Sequence, residues 1–350
     1  MQQYYKIILF ALSVFIVGDV GAQDIHFSQF YMSPTNLNPA LTGVMNCNTR
    51  IVANYRNQWS PILKNDAYST YSVSYDQKMP VGRYDYFGFG ANVWNDRAGS
   101  LDFGTLTAKL LGAYSKRVGG SRKKAHYVSV GAEAGISQRG FDLTKAEWST
   151  YWNGTDVDPS LGSGENLDII DDQFLFADVG LGVLWFSVLD DNTNFYVGAA
   201  LNHLNQANVS VFTGELVSYF TKSVIHAGGQ FPLSDKVSLV PGIVTFFQGP
   251  SFELNGGTSF RFDLGSSRYS DQSFQLGAWV RLANHFEDPI LTDAFIISSR
   301  FDVSNWGVGF SYDVNVSSLR QGSNANGSFE FSMIYYFCGP ENRGVYCPKF

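Results

Sequence analysis

From residue 49 to residue 337 one pattern recurs: apolar or aromatic side chains at every second position, with polar or charged ones between them. Phe252 to Asp263 sets Phe252, Leu254, Gly256, Thr258, Phe260 and Phe262 against Glu253, Asn255, Gly257, Ser259, Arg261 and Asp263. Gln272 to Leu282 sets Phe274, Leu276, Ala278, Val280 and Leu282 against Gln275, Gly277, Trp279 and Arg281. The last such segment sets Phe329, Phe331, Met333, Tyr335 and Phe337 against Glu330, Ser332, Ile334 and Tyr336. A helix would scatter each set around its circumference, whereas a strand puts each set on one face. The chain is therefore an all-β one.

The pattern predicts about fourteen strands, near 49–57, 68–76, 85–95, 100–117, 125–139, 174–188 and 194–204 in the first half. The second half supplies 222–231, 236–247, 250–263, 272–282, 293–301, 304–312 and 328–337. Charged residues make up only 16% of the chain, against roughly a quarter in soluble domains. Aromatics reach 16% and there are 35 glycines, yet nowhere after the N-terminus is there an apolar run long enough for a membrane helix. A transmembrane antiparallel β-barrel reconciles these facts, because only alternate residues of each strand meet lipid. An even strand number closes the sheet with both ends on one side, and closure removes the edges that lipid cannot satisfy. Outer-membrane lipid is then the first partner. The net charge of -7 argues against nucleic acid.

Residues 1–22 read as a signal peptide: Lys6, the apolar Ile7 to Val17, then the small residues of Val20-Gly21-Ala22. An N-terminal periplasmic or plug segment follows over 23–48, the barrel over 49–337 and a periplasmic tail over 338–350. Long and short connections alternate, with 58–67, 140–173, 205–221, 283–292 and 313–327 among the odd-numbered ones. Long loops lie outside in such barrels, which places both termini in the periplasm of a Gram-negative envelope. Tyr55, Tyr71, Tyr75, Trp306 and Tyr312 suit an interfacial girdle. Arg56, Glu133, Arg139, Asp178, Glu253, Arg261, Arg281, Arg300 and Glu330 fall on the opposite faces and predict a polar lumen.

After the signal peptide comes Gln23-Asp24-Ile25-His26-Phe27-Ser28-Gln29-Phe30-Tyr31, then Ser33-Pro34 and Leu37-Asn38-Pro39-Ala40-Leu41-Thr42-Gly43. Asn54-Tyr55-Arg56-Asn57-Gln58-Trp59, Tyr68 to Asp76, Asn95-Asp96-Arg97-Ala98-Gly99 and Asn305 to Asp313 follow in order. This succession resembles the PorP/SprF family of the Bacteroidota type IX secretion system over essentially the whole mature chain. The resemblance implies a fourteen-stranded outer-membrane barrel serving secretion or gliding motility, with machine components and a large adhesin-like cargo as partners. It transfers no catalytic residue.

In the N-terminal block Pro34 and Pro39 suppress ladder pairing. Phe27, Phe30, Tyr31 and Leu37, beside Asn38 and Pro39, offer anchors for packing inside the barrel or for docking a secretion partner; the two can coexist. The 140–173 loop carries Trp148, Tyr151 and Trp152 among Asp156, Asp158, Glu165, Asp168, Asp171 and Asp172. Its carboxylates lack EF-hand spacing, so a solvated loop is favoured over a calcium site. No C-x-x-C, clustered histidine or Gly-x-Ser-x-Gly elbow exists, so no metal, cofactor or catalysis is expected. The rival function is a fatty-acid-channel-like transporter, which would need an apolar lumen. Of three cysteines, Cys338 and Cys347 close a loop of about ten residues, worth roughly 3 kcal/mol in chain entropy, with Gly339-Pro340 favouring the turn. That local bond is expected over Cys47–Cys338, leaving Cys47 free.

Overall fold

A computed structural model describes residues 24–121, 124–190, 192–267, 270–284 and 290–339. The proposed signal peptide and Cys347 lie outside these residues. Fourteen antiparallel strands form one closed barrel in which every strand pairs with its sequence neighbours and the last pairs with the first. The first half comprises β1 (Thr49–Gln58), β2 (Tyr68–Val81), β3 (Asp85–Ala98), β4 (Phe103–Gly120), β5 (Ala125–Gly140), β6 (Gln173–Asp190) and β7 (Thr193–Asn202). The second comprises β8 (Lys222–Ser234), β9 (Val237–Gln248), β10 (Ser251–Ser267), β11 (Ser270–Ala283), β12 (Leu291–Val303), β13 (Trp306–Asn315) and β14 (Asn326–Phe337). Among the described residues no helix is long and apolar enough to cross a membrane. The strands do the crossing.

Alternation translates directly into exposure. Tyr71, Leu110, Ile136, Leu175, Phe295 and Ile297 point outward, while Arg50, Ser129, His226, Asp313 and Glu330 point inward and are almost fully covered. The anticipated girdle residues Tyr71, Tyr75, Trp306 and Tyr312 are exposed outside, and Tyr55 lies 4.8 Å from the Tyr71 ring.

Several strand ends differ from the periodicity: β2, expected to stop at 76, runs to Val81 and β10, expected to stop at 263, runs to Ser267, while two further ends have a local cause. β8, expected to stop at 231, continues to Ser234 through a register shift between Pro232 and Ser234. Proline is tolerated where the ladder is irregular, so the turn itself is only 235–236. β7 was expected to reach 204 and ends at Asn202, because His203 turns to φ 58°.

The connections sort by the mouth at which they lie. At the mouth where β1 begins and β14 ends, which we call the terminal mouth, the connections are two to four residues long. At the opposite, loop mouth they include 141–172 and 203–221.

β1 and β14 pair from Thr49↔Phe337 to Gln58↔Ser328. This closing seam brings the residues just outside it together. Cys47 and Cys338 are disulfide-bonded, with Cα atoms 4.4 Å apart. The expected Cys338–Cys347 bond is thereby corrected, since one Sγ forms one disulfide. The local-loop argument compared chain separations, whereas barrel closure makes a separation of 291 residues a short distance.

Candidate functional site: a plugged lumen between two vestibules

Residues 24–48 run back into the barrel as short turns, with 3-10 turns at Phe30–Met32 and Pro39–Leu41 around a single helical turn at Pro34–Leu37. Each turn is too short to be stable alone. The barrel wall fixes them. All six expected anchors occupy the lumen. Phe27, Phe30, Leu37, Asn38 and Pro39 are buried. Tyr31 stacks on Trp279 at 5.3 Å and donates its hydroxyl to Ser298 Oγ at 3.1 Å, while Phe30 meets Trp279 edge-on at 5.7 Å. Leu37, Ala40 and Leu41 join a cluster with Tyr86, Tyr127, Phe186 and Tyr196.

Asn38 is held by polar contacts. Its Nδ2 donates to Val183 O at 3.0 Å and Ala199 O at 3.2 Å and lies 3.0 Å from His226 Nε2, while its Oδ1 accepts from Ala40 N at 2.8 Å. The wall is notched to admit it. A Cβ at Gly182 would overlap the Asn38 side chain, and one at Gly131 would come within 2.5 Å of Pro39 and Ala40 backbone. Inward glycines here are sites of close backbone approach rather than of unusual φ.

Buried charge supplies the rest of the grip. The Arg50 guanidinium meets both carboxylate oxygens of Asp76, at 2.9 and 2.8 Å, and Arg50 Nη2 donates to Leu41 O at 3.1 Å. Gly43 N donates to the same carboxylate at 2.8 Å. Glu330 accepts from the Ser28 and Gln29 amides, and Asp313 accepts from Ser28 Oγ at 2.7 Å and Arg281 Nη2 at 2.7 Å. A third chain of charge links Lys109 to Glu133 and Asp178, Asp178 to His203 at 2.9 Å, and His203 to Asp24 at 3.3 Å. Lys222 closes it, 3.3 Å from Asp24 and donating to Ile25 O at 2.7 Å. Such pairs add little net stability, but removing one member leaves a buried charge uncompensated, so they specify where the segment sits.

His203 and Asp24 lie outside the strands. Burial would lower the His203 pKa, but hydrogen bonds and negative charge from Asp178 and Asp24 outweigh it and hold it above its ordinary value. For Asp24, burial acts to raise the carboxyl, while Lys222 and His203 hold it well below the usual carboxylate range.

The plug separates two cavities. One, about 620 Å³, opens at the terminal mouth and is floored by Val44 and Met45 of the plug. The other, about 400 Å³, opens at the loop mouth and is floored by Asp24, Ile25 and His26. Charge lines this loop-mouth vestibule through Arg56, Asp96 and Arg139. Among the described residues no group of three or more His, Cys, Asp or Glu could hold a metal ion. Sequence reasoning picked the apolar anchors and missed Asp24, Ser28, Gln29 and the notch glycines. Glycine recurring on the inward phase of β3, β5 and β6 was the available signal.

The family model described as type IX secretion system membrane protein PorP/SprF matches residues 19–335. The chain belongs to this family. As a PorP/SprF protein it is an outer-membrane barrel of the type IX secretion system. No curated protein matches it in sequence. Among solved structures it is similar to the toluene transporter TbuX of Ralstonia pickettii, at 12% identity and TM-score 0.45, covering 91% of this chain and 96% of that one. The CymD monoaromatic hydrocarbon channel gives 12% identity and TM-score 0.47, covering 92% and 96%. CdiB from Acinetobacter baumannii gives 10% and 0.44, covering 84% and 60%.

Proposed function

We propose that this PorP/SprF protein is a non-catalytic scaffold that supports export or surface anchoring of a large adhesin-like cargo, with both termini in the periplasm. The observation that carries the reading is the plug. A lumen crossed by residues 24–45, held by buried ion pairs on several strands, suits a barrel that presents surfaces better than one that conducts solutes. The charged loop-mouth vestibule also disfavours a hydrophobic small molecule, which would lose contact with apolar walls and strand buried charge. The anchors Phe27, Phe30, Tyr31, Leu37, Asn38 and Pro39 hold the plug in this reading, and a secretion component engages the barrel at its mouths. The long loops, on the outer face, are where a cargo docks.

Gene deletion tests it. Surface display of large adhesins is expected to fail, with small-solute permeability little changed. Normal display with loss of hydrophobic solute uptake would replace this reading with the transporter. A protease-cleavable epitope inserted after Gly162 tests orientation: cleavage in intact cells is expected, and protection would reverse the assignment.

A further inference from the structure

The loop-mouth vestibule carries unused hydrogen-bonding capacity between aromatic rings. Its wall includes one register row, Arg56↔Thr70↔Asp96↔Thr105↔Arg139, side by side across β1 to β5. Asp96 accepts from Thr70 Oγ1 at 2.6 Å through one oxygen, and Arg139 Nε donates to Thr105 Oγ1 at 3.0 Å. Among the described residues neither forms an ion pair, whereas Arg56 is engaged by Glu330 at 3.4 Å. Two strand spacings, about 10 Å, hold Asp96 and Arg139 apart. Trp94 is 5% exposed, and its indole N–H has no acceptor among the described residues. Such a donor is costly unless something entering the cavity accepts from it. Trp59, Tyr68, Phe103 and Tyr219 stand around these groups. Trp59 sits at φ 61°, an uncommon conformation for a bulky residue that persists only where its surroundings impose it. Here Trp59 N donates to Gly327 O at 2.9 Å, and its ring meets Tyr68 edge-on at 5.6 Å. The Arg139 guanidinium lies 4.9 Å from the Tyr219 ring centre and 5.9 Å from that of Phe103.

We infer that this vestibule binds a neutral saccharide, the end of a glycan entering from the loop mouth. Arg56 and Arg139 balance Asp24 and Asp96 in the lining, so the site favours neither a cation nor an anion. A hydrocarbon would leave Asp96, Arg139 and the Trp94 N–H unanswered. A sugar ring answers both halves of the wall: its C–H faces pack on aromatic rings, and its hydroxyls each donate once and accept twice. One kind of group therefore serves the acceptor Asp96 and the donors Arg139 and Trp94. A peptide's amides, each of fixed polarity, would have to alternate in step with the wall. The cavity of about 400 Å³ falls within the range of ordinary ligand sites and admits the end of a chain rather than a folded domain. Because Asp24, Ile25 and His26 floor it, the saccharide docks and does not pass through. The binding chemistry depends neither on the export role nor on the orientation proposed above.

The test uses the full-length barrel in a detergent without a sugar headgroup. It is applied to an array of immobilised neutral, sialylated and sulfated glycans, with acetylated random tetrapeptides alongside. Retention on a subset of the neutral glycans is expected, above the peptides and the charged glycans. Trp94→Phe, which keeps a ring and removes the N–H, should weaken that binding about fivefold, the worth of one hydrogen bond. Asp96→Asn, which turns a charged acceptor into a neutral one, should weaken it about tenfold. Trp152→Ala, in the loop outside the vestibule, should leave it unchanged. Folding of each variant is checked by heat-modifiable gel migration; if Trp94→Phe fails to fold, Asp96→Asn and Trp59→Ala carry the test. No retained neutral glycan, or unchanged binding in the folded vestibule variants, would overturn the proposal. So would a preference for charged glycans, equal retention of the peptides, or loss of binding through Trp152→Ala alone, which would move the site to the loops.

Discussion

The two mouths of this barrel are built to different rules. At the terminal mouth, turns of two to four residues, the Cys47–Cys338 bond and the plug junction tie the chain tightly. At the loop mouth, 141–172 and 203–221 rise together: Asp171 N donates to Val211 O at 2.9 Å and Thr213 N to Ile169 O at 2.9 Å. These two loops carry nine carboxylates, from Asp142 to Glu215, against Lys145 alone, a net -8 where the whole chain carries -7. The rest of the protein is thus almost neutral. Trp152, Leu161 and Leu216 stand more than half exposed among those carboxylates. One mouth is tied by short turns, a covalent bond and buried, paired charge, whereas the rim loops of the other carry solvated, unbalanced charge. Identical side chains should therefore count very differently at the two places.

The largest contrast lies in single carboxylates. Asp76→Ala leaves Arg50 buried without its partner and should cost about 3–5 kcal/mol, whereas Asp156→Ala in the loop should stay within about 0.5 kcal/mol. Unfolding monitored by gel migration against urea checks both, and equal costs would erase the distinction between the mouths. Next comes the disulfide. Cys47→Ser/Cys338→Ser should lower stability by about 2–4 kcal/mol. Non-reducing peptide mapping of the wild type should recover a Cys47–Cys338 crosslinked peptide.

Filling a notch acts on the plug between the mouths. Gly131→Val should cost roughly 1–3 kcal/mol by overpacking and displace Pro39–Ala40. Single-channel recordings in planar bilayers should then show conductance that wild type lacks. If Gly131→Val stays silent while folded, the notch does not position the plug.

The smallest effect is pH-dependent, at the Asp24 anchor. His203 has a raised pKa, so its contribution is complete below its ordinary value of about 6.5 and is lost as pH rises through the raised one. Asp24 has a lowered pKa, so its contribution is present above its ordinary value of about 4 and is lost as pH falls through the lowered one. The 24–28 segment should be held most firmly between about pH 4 and 6.5. Hydrogen exchange of these amides should quicken above that window, and a His203→Gln variant should flatten the upper limb.

Strands were legible because alternation is written locally: each residue of Phe252 to Asp263 records whether it faces lipid or lumen. Boundaries blurred where the deciding event was an irregular ladder at Pro232 or a positive φ at His203. The plug was legible as a block with anchors, since prolines and clustered aromatics without a period exclude a strand. Its route was not. Asn38 is fixed by Val183, Ala199 and His226, and Ser28 by Asp313 and Glu330, so the information sits up to about three hundred residues away. The cysteine pairing failed as an expectation for the same reason, because closure of β1 on β14 outranked proximity along the chain.

The plug is leashed to β1 by the peptide chain, and the bond between Cys47 and Cys338 fixes the base of that leash to the end of β14 as well. Residues 24–45 attach to the wall by contacts that can be exchanged for water, whereas residue 47 is pinned covalently at the rim of the terminal mouth. Any departure from the lumen is consequently a swing on a fixed hinge, and the arc ends on the side where that hinge stands. The seam between first and last strands cannot part at the terminal mouth while that bond holds, so nothing leaves the barrel sideways there. A reductant reaching that rim would free the two ends of the seam from each other, while the peptide chain through residue 48 keeps the plug tied to β1.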